Sequence, residues 1–146
     1  NVVLGSGMDS RLFNEVRVKK GLCYGIGSGH SQWEGGELFV VESSTREANL
    51  SEVLSTIDAE LNKIKSDGIT EEELQRAKNK IKAAYYALDE SSYGMCIHSI
   101  KNRLFKTPMV DEIISKIDLV STSDVVSAAN KIFDESRKHT VVCRGK

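Results

Sequence analysis

Histidine and cysteine are the residue types best suited to bind a metal ion, and the chain contains three of each: His30, His98, His139, Cys23, Cys96 and Cys143. Zinc peptidases place two imidazoles and a carboxylate on one helix face through the spacings HExxH or HxxEH. No histidine here stands in either spacing, and no cysteine belongs to a CxxC pair. We therefore expect no metal site built from this chain alone, and cysteines that are reduced and mostly buried.

Nucleophile and phosphate-binding motifs are also absent from the sequence. No serine lies in a GxSxG elbow, and no glycine-rich loop carries the lysine and hydroxyl of a P-loop. The run from Gly25 to Gly29 is glycine-rich, but it follows a predicted helix and lies within a predicted strand. Nucleotide sites need the opposite order, a strand and then a helix, so this run is not predicted to bind a nucleotide.

The composition is that of an ordinary globular domain. The 146 residues are 40% hydrophobic and 28% charged, which is enough for one domain with its own core. The 20 basic and 21 acidic residues nearly cancel and are dispersed, so neither nucleic acid nor an anionic membrane is an expected partner. No stretch of the sequence approaches the roughly 18 consecutive apolar residues of a membrane span, and its first residues lack a basic segment followed by an apolar one. We expect a cytoplasmic location, with the mitochondrial matrix as the alternative.

The N-terminal residues predict the end of one helix and the whole of the next. Asn1–Leu4 looks like the tail of a helix whose beginning is missing, which predicts a single but incomplete domain over residues 1–146. Asp9 or Ser10 can accept hydrogen bonds from the free amides of a second helix. Three apolar residues share one face of that helix, Leu12, Phe13 and Val16. It is expected to end near Lys20, where Gly21 can adopt the left-handed conformation that stops a helix.

A strand pair is predicted after this helix. From Leu22 to about Gln32, the side chains of an extended segment alternate between two sides. The alternation places three residues on one side, Tyr24, Ile26 and Ser28, and three on the other, Cys23, Gly25 and Gly27. Glu34 to Gly36 is a turn signal, and Leu38 to Glu42 is rich in β-branched and aromatic residues, so the two segments predict an antiparallel hairpin.

Five helices are predicted in the remainder of the chain, where apolar residues recur at spacings of three and four. The first begins at Leu50 and is ended by Gly68, and the second runs from Thr70 to Leu88. The third runs from Ser91 or Ser92 to about Phe105, the fourth follows Pro108 and ends near Ile117, and the fifth runs from Ser121 to Phe133. The clearest start is at Thr70, which forms a capping box with Glu73, while Ile69 and Leu74 occupy the positions of a hydrophobic staple. Thr140–Cys143 is a β-prone run that predicts a final strand rejoining the sheet. These elements predict an α+β fold, an antiparallel β-sheet packed against several α-helices.

One segment, Gly5 to Tyr24, resembles the signature of a known family. It reads GSGMDSRLFNEVRVKKGLCY, in which a glycine-rich bend, a helix with RLF, then E, then R, and a GLxY strand start follow one another. The order and spacing are similar to those of the second-half domains of M16 zinc metallopeptidases, the pitrilysin, insulinase and mitochondrial-processing-peptidase-like group. Two weaker segments, Asp67–Lys78 and Ile117–Val125, agree with this resemblance.

The resemblance implies a function within a larger assembly. In these peptidases two similarly folded halves close around a chamber, and the zinc-binding HxxEH motif lies in the first half. This chain resembles the second half, so zinc is expected in another domain or subunit of the parent enzyme. The implied function is the substrate-contacting, non-zinc-binding half of a zinc-dependent metalloendopeptidase that hydrolyses peptides or presequences, inactive when alone. Its expected partners are a peptide substrate, the zinc-bearing domain and further copies of itself.

The resemblance also carries over two residues, Arg17 and Tyr24, which correspond to an arginine and a tyrosine that hold the substrate backbone near the metal. Arg17 lies in the last turn of its predicted helix and Tyr24 at the start of the next strand, so a turn at Gly21 can bring both polar tips to one rim. There they could hydrogen-bond a peptide carbonyl and stabilise its oxyanion. On the residues alone structural roles are favoured, because arginine suits a helix C-terminus and tyrosine a strand edge.

Alternatives remain for the neighbouring residues and for the function. Arg11 is expected to anchor its own helix, and Gly5 to Gly7 either border the substrate chamber or form a simple turn. His30 and Trp33, near the predicted hairpin tip, either contact a partner or belong to the ordinary surface. The alternative functions are a non-catalytic partner subunit or scaffold of the same fold, and an unrelated small binding module.

Overall fold

A two-stranded antiparallel sheet and seven helices form the part of the chain that the computed structural model describes, residues 1–33 and 35–145. In chain order the elements are α1 (Val2–Gly5), a π-helix (Phe13–Lys19), β1 (Cys23–Trp33), β2 (Gly36–Thr45), α2 (Leu50–Ser66), α3 (Glu71–Asp89), α4 (Ser92–Phe105), α5 (Val110–Leu119) and α6 (Thr122–Ile132). Short 3-10 turns cover Glu47–Asn49 and Glu135–Arg137. The predicted α+β class, with an antiparallel sheet and several helices, is confirmed.

The described residues cluster into two compact units. The first contains Val3–Gly68 and the residues from Ser123 onward, and the second contains Ile69–Thr122. The expectation of one domain over residues 1–146 stays a prediction. Within residues 1–33 and 35–145, every helix is too short or too polar to cross a membrane.

The core of the first unit forms where the π-helix, β1 and α2 meet. Leu12 and Val16, on the predicted apolar face, are fully buried. Val16 clusters with Leu22 and Val53, and Ile26 packs against this cluster. Removing side chains of this size from water contributes about 1.5–3 kcal/mol each. The cluster therefore fixes the end of the π-helix against the start of β1.

Gly21 ends the π-helix, as predicted. Its φ of 62° lies in the left-handed region, which glycine adopts without a steric penalty. The Gly21 N–H donates to the Arg17 carbonyl at 3.2 Å, and the Leu22 N–H donates to the Val16 carbonyl at 3.0 Å. These two bonds satisfy carbonyls at the helix end, so the chain can pass directly from the helix into β1.

The hairpin of β1 and β2 is confirmed, and its register defines two faces. Gly25 lies opposite Ser44, and Gly27 lies opposite Glu42. The other face packs inward: Ile26 joins the core, and the Phe39 ring meets Phe133 edge-on with centroids 5.2 Å apart. The predicted turn falls partly on Glu34, which lies outside the described residues.

The predicted alternation along β1 is wrong at its start. It placed Tyr24 and Ile26 on one side and Cys23 on the other, but Cys23 and Ile26 both pack against the core cluster. The cause is a β-bulge: two steps along β1, from Cys23 to Gly25, match one step along β2. The extra residue is Tyr24, and its insertion reverses the alternation on either side of it.

The second unit is built from helices with clear local starts. The Thr70 hydroxyl accepts a hydrogen bond from the Glu73 N–H at 3.1 Å, and the Glu73 carboxylate accepts one from the Thr70 N–H at 2.8 Å. Ile69 and Leu74, the predicted staple residues, are both buried. The capping box is therefore confirmed. The Ser91 side chain likewise caps α4 by accepting a hydrogen bond from the Gly94 N–H.

The predicted final strand is wrong, as is the prediction of mostly buried cysteines. In the described residues the sheet contains only β1 and β2, and residues 140–143 are exposed and extended without strand pairing. A β-prone run forms a strand only when a free sheet edge lies beside it. Here Arg144 pairs with Glu47 instead, at 2.9 Å. Cys143 is consequently exposed, Cys96 is exposed on α4, and Cys23 alone is half-buried.

Candidate functional site

Arg17 and Tyr24, the two residues singled out in the sequence, lie side by side in the structure. Arg17 stands in the last turn of the π-helix, and Tyr24 is the extra residue of the bulge in β1. The short connection through Gly21 brings them together. The Arg17 guanidinium carbon lies 5.0 Å from the centroid of the Tyr24 ring.

A second aromatic ring holds the same guanidinium. The Arg17 guanidinium carbon lies 4.8 Å from the centre of the Phe13 ring, one turn earlier in the π-helix. Cation–π contacts at exposed sites are worth about 0.5–1 kcal/mol each. Two such contacts restrict the orientation of the guanidinium without using its N–H groups. The site is therefore partly organised before anything binds to it.

The polar groups of the pair are available to a ligand. Tyr24 is 84% exposed, and Arg17 is half-buried. Within residues 1–33 and 35–145, neither the Arg17 guanidinium nor the Tyr24 hydroxyl forms a hydrogen bond or an ion pair. The nearest carboxylate in sequence, Glu15, pairs with Lys19 at 2.5 Å. A role for Arg17 as an intramolecular ion-pair partner is thus not seen.

Arg11 and Gly5, earlier in the signature segment, have structural contacts. The Arg11 guanidinium donates a hydrogen bond to the Gly68 carbonyl at 3.1 Å, which ties the start of the helical segment to the end of α2. A Cβ atom at Gly5 would lie 2.4 Å from the Ser28 hydroxyl and 2.6 Å from the Ser28 backbone nitrogen. Glycine is required there because α1 approaches β1 so closely.

The residues that the structure describes do not fit a zinc site. In the described ranges, no group of three or more histidine, cysteine, aspartate or glutamate side chains could hold a metal ion. His98 is buried, with its Nε2 atom 3.0 Å from the Pro108 carbonyl oxygen. His30 is exposed on the hairpin, and the side chain of Trp33 lies outside the described residues.

A bare surface begins directly after Tyr24. The register pairs Gly25 with Ser44, Gly27 with Glu42 and Gly29 with Val40, and the alternation of a strand puts all of them on one side. We call this surface the glycine face, and it consists of Gly25, Gly27, Gly29, Val40, Glu42 and Ser44. It lines an open groove of about 530 Å³. The glycine spacing was visible in the sequence, but Glu42 was missed because only the hairpin register places it opposite Gly27.

The sequence of this chain is similar to that of a known protein family. Residues 1–81 match the family described as the peptidase M16 inactive domain. The chain is 35% identical over 137 residues, 92% of its length, to an uncharacterized zinc protease of Bacillus subtilis, YmxG. It is 28% identical over 143 residues, 97% of its length, to an uncharacterized zinc protease of Rickettsia felis. It spans 34% of the length of each of these relatives, about one third.

Solved structures share the fold. A peptidase M16 inactive domain from Pseudomonas fluorescens superposes with a TM-score of 0.79 at 24% identity, over 92% of this chain and 32% of that one. A protease from Helicobacter pylori superposes with a TM-score of 0.79 at 25% identity, over 93% of this chain and 33% of that one.

Proposed function

Because this chain belongs to the family of peptidase M16 inactive domains, we propose that it is the substrate-contacting, non-zinc-binding half of a zinc-dependent metalloendopeptidase acting on peptides or presequences. The chain spans only about a third of its curated relatives, 34% of YmxG, so zinc and the hydrolytic groups are assigned to another domain or subunit. We also propose that the protein is cytoplasmic, as expected from the sequence.

One observation carries the proposal, the pairing of Arg17 with Tyr24. The guanidinium lies over the Tyr24 ring at 5.0 Å, and its N–H groups have no acceptor among the described residues. An arginine with this many free donors beside an exposed phenol suits an acceptor-rich ligand. A peptide backbone offers such acceptors at every carbonyl.

The two donors have distinct roles in the proposed reaction. Arg17 donates charge-assisted hydrogen bonds to a substrate carbonyl, and these strengthen as negative charge develops on the oxygen. The Tyr24 hydroxyl donates a second hydrogen bond to the same region of the backbone. Because Phe13 and Tyr24 already orient the guanidinium, little side-chain entropy is lost when substrate binds. The hydrolytic step itself takes place outside this chain.

The test is a cleavage assay on the longer polypeptide, or the reconstituted pair of halves, that includes the zinc-bearing domain. Loss of one donor to an oxyanion costs on the order of a hundredfold in kcat. We expect Tyr24→Phe to show a loss of this size, and Arg17→Ala to lose at least as much because it also removes a charge. KM should change less than kcat, since the bonds strengthen in the transition state.

Lys19→Ala is the matched control. It removes a positive charge from the same helical turn, but Lys19 points its ammonium at Glu15 and is exposed. We expect kcat within about twofold of the unmodified protein, because exposed ion pairs contribute little. Parental kcat in both Arg17→Ala and Tyr24→Phe would show that the pair is structural.

A second candidate function is a non-catalytic partner subunit that associates with further copies of this chain, and one observation favours it. Apolar side chains at helical spacing stay exposed on α4: Tyr93, Ile100, Leu104 and Phe105. Exposed apolar patches of this kind often mark protein–protein contacts. Sedimentation of the chain before and after Leu104→Lys tests this, because a contact on this face is weakened by a buried charge.

A further inference from the structure

A pocket rich in basic side chains lies where α4 ends and α5 begins. It is open to solvent and has a volume of about 760 Å³, which is within the range of ~300–1,000 Å³ that small-molecule sites occupy. We call it the basic pocket. All of its residues belong to the second unit, Ile69–Thr122. The side chains that give it its chemistry are Ser99, Arg103, Lys106, Thr107, Glu112 and Lys116.

The loop that borders this pocket, residues 106–109, is held by two side chains of α4. The Asn102 side-chain amide donates a hydrogen bond to the Thr107 carbonyl at 2.5 Å. The Nε2 atom of His98 lies 3.0 Å from the Pro108 carbonyl oxygen. His98 is buried and Asn102 is half-buried. The backbone at this end of the pocket is therefore already ordered, so little conformational entropy is lost there when a ligand binds.

Positive charge predominates in the basic pocket. Three cations line it together with one carboxylate, Glu112, which pairs with Lys116 at 2.6 Å. The side chains of the other two cations, Arg103 and Lys106, form no ion pair or hydrogen bond with residues 1–33 or 35–145. Ser99 and Arg103 stand four positions apart on α4, so they share one face of the helix. The pocket therefore presents two uncompensated positive charges and a hydroxyl group to the same ligand.

The backbone of Lys106 is a second feature of this pocket. Its φ of 56° lies in the left-handed region, and in the described part of the chain no other non-glycine residue has a positive φ. A side chain makes this conformation costly, so glycine or asparagine is the usual residue after a helix. Stability alone therefore favours glycine at position 106. A binding role for the ammonium group accounts for lysine there, because ligand sites retain strained residues of this kind.

We infer that the basic pocket binds the phosphate group of a phosphorylated small molecule. A phosphate monoester carries up to two negative charges and three acceptor oxygens, which match the charges of Arg103 and Lys106. The guanidinium can donate two parallel hydrogen bonds to it, and the ammonium acts as a point charge. The volume of about 760 Å³ exceeds that of one phosphate ion, so room remains for the organic part of the ligand. The inference does not rest on the proposed function, because the Arg17–Tyr24 pair belongs to the first unit.

The test is a titration of the 146-residue chain with phenyl phosphate, inorganic phosphate and benzoate at constant ionic strength. Shifts of the amide NMR signals of isotope-labelled protein give the Kd of each probe and identify the residues affected. We expect phenyl phosphate to bind most tightly, with the largest shifts at residues 99–116. Benzoate carries the same ring but one negative charge less, so its Kd should be about two- to fivefold higher, as for the loss of one exposed ion pair.

Three substitutions test which side chains bind the phosphate. Arg103→Gln and Lys106→Gln should each weaken phenyl phosphate binding about two- to fivefold, the range of an exposed ion pair. Glu112→Gln should strengthen it by about twofold, because it removes a like charge and releases Lys116. Lys101→Gln is the matched control, since it removes an exposed charge from the same helix but outside the pocket, and its Kd should be unchanged.

Lys106→Gly separates binding from stability. Glycine adopts the left-handed backbone without a steric penalty, so this variant should unfold at a temperature about 2–4 °C higher than the unmodified chain. It should nevertheless bind phenyl phosphate as weakly as Lys106→Gln does. Thermal unfolding followed by circular dichroism measures the first effect, and the NMR titration measures the second. Unchanged phenyl phosphate affinity in Lys106→Gly would show that this lysine has no part in binding.

The remaining outcomes each decide one part of the inference. Equal Kd values for benzoate and phenyl phosphate would overturn the assignment of phosphate as the recognised group. Inorganic phosphate binding as tightly as phenyl phosphate would overturn the organic part of the ligand. Absence of saturable binding, or unchanged affinity in both Arg103→Gln and Lys106→Gln, would overturn the pocket as an anion site. Arg17 and Tyr24 are intact in all of these variants, so none of these outcomes bears on the proposed function.

Discussion

Two segments of this chain, Leu4–Tyr24 and Ile69–Ala77, each contain a helix with a distinct sequence signature, yet the contacts that hold them differ. The helix in the second segment is held by local contacts, because Thr70 and Glu73 form reciprocal hydrogen bonds within four residues. The first depends on distant residues: Arg11 reaches the Gly68 carbonyl, and Gly5 meets Ser28.

This difference shows which contacts can position the residues of a functional site. A local cap stabilises the first turn of a helix but does not orient any side chain toward another element. The long-range contacts of Leu4–Tyr24 place the π-helix against β1, and that placement brings Arg17 to Tyr24 at 5.0 Å. Substitutions of buried residues in the first segment should therefore disturb both stability and the site, whereas those at the cap should affect stability alone.

The largest expected effect is that of Leu12→Ala. Leu12 is fully buried at the start of the π-helix, so truncation leaves a cavity and removes apolar contact. Such changes cost about 2–5 kcal/mol, and we expect a loss in this range by urea denaturation. Val18→Ala in the same helix is the control, because Val18 is 62% exposed, and it should change stability by less than about 0.5 kcal/mol. Equal losses for both variants would contradict the placement of the core.

A smaller loss is expected for Gly5→Ala. The added methyl group would lie 2.4 Å from the Ser28 hydroxyl and 2.6 Å from its backbone nitrogen, so α1 or β1 must move. Overpacking of this kind costs about 1–3 kcal/mol. Gly29→Ala, on β1, is the matched control, because nothing lies within 4 Å of the new Cβ atom there. Thermal unfolding of the two variants should separate them, and identical midpoints would mean that α1 does not pack on β1.

The smallest loss is expected at the local cap. Thr70→Ala removes the hydroxyl that accepts from the Glu73 N–H, which should destabilise the protein by about 0.5–2 kcal/mol. Thr70→Ser keeps the acceptor and should restore most of the stability. The kcat of cleavage in the presence of the zinc-bearing domain should be the same in both variants. A change in kcat would show that the cap and the Arg17–Tyr24 pair are coupled, against the comparison drawn between the two segments.

The sequence by itself determined the elements whose signals are local. The capping box at Thr70, the stop at Gly21 and the buried face of Leu12 and Val16 follow from spacing and backbone preference within one turn or two. The hairpin was likewise predictable, because its turn residues and strand composition lie within one continuous segment. The family resemblance was also predictable, because it rests on the continuous segment from Gly5 to Tyr24.

Only the tertiary structure decided how these elements face each other. The bulge at Tyr24 reversed the predicted alternation, and no local preference specifies where a strand takes up an extra residue. The run Thr140–Cys143 has strand composition but pairs with no strand in the described residues, since strand formation needs a partner edge. Glu42 lies on the glycine face because of its register with Gly27, a relation between residues fifteen apart along the chain that strand pairing alone creates.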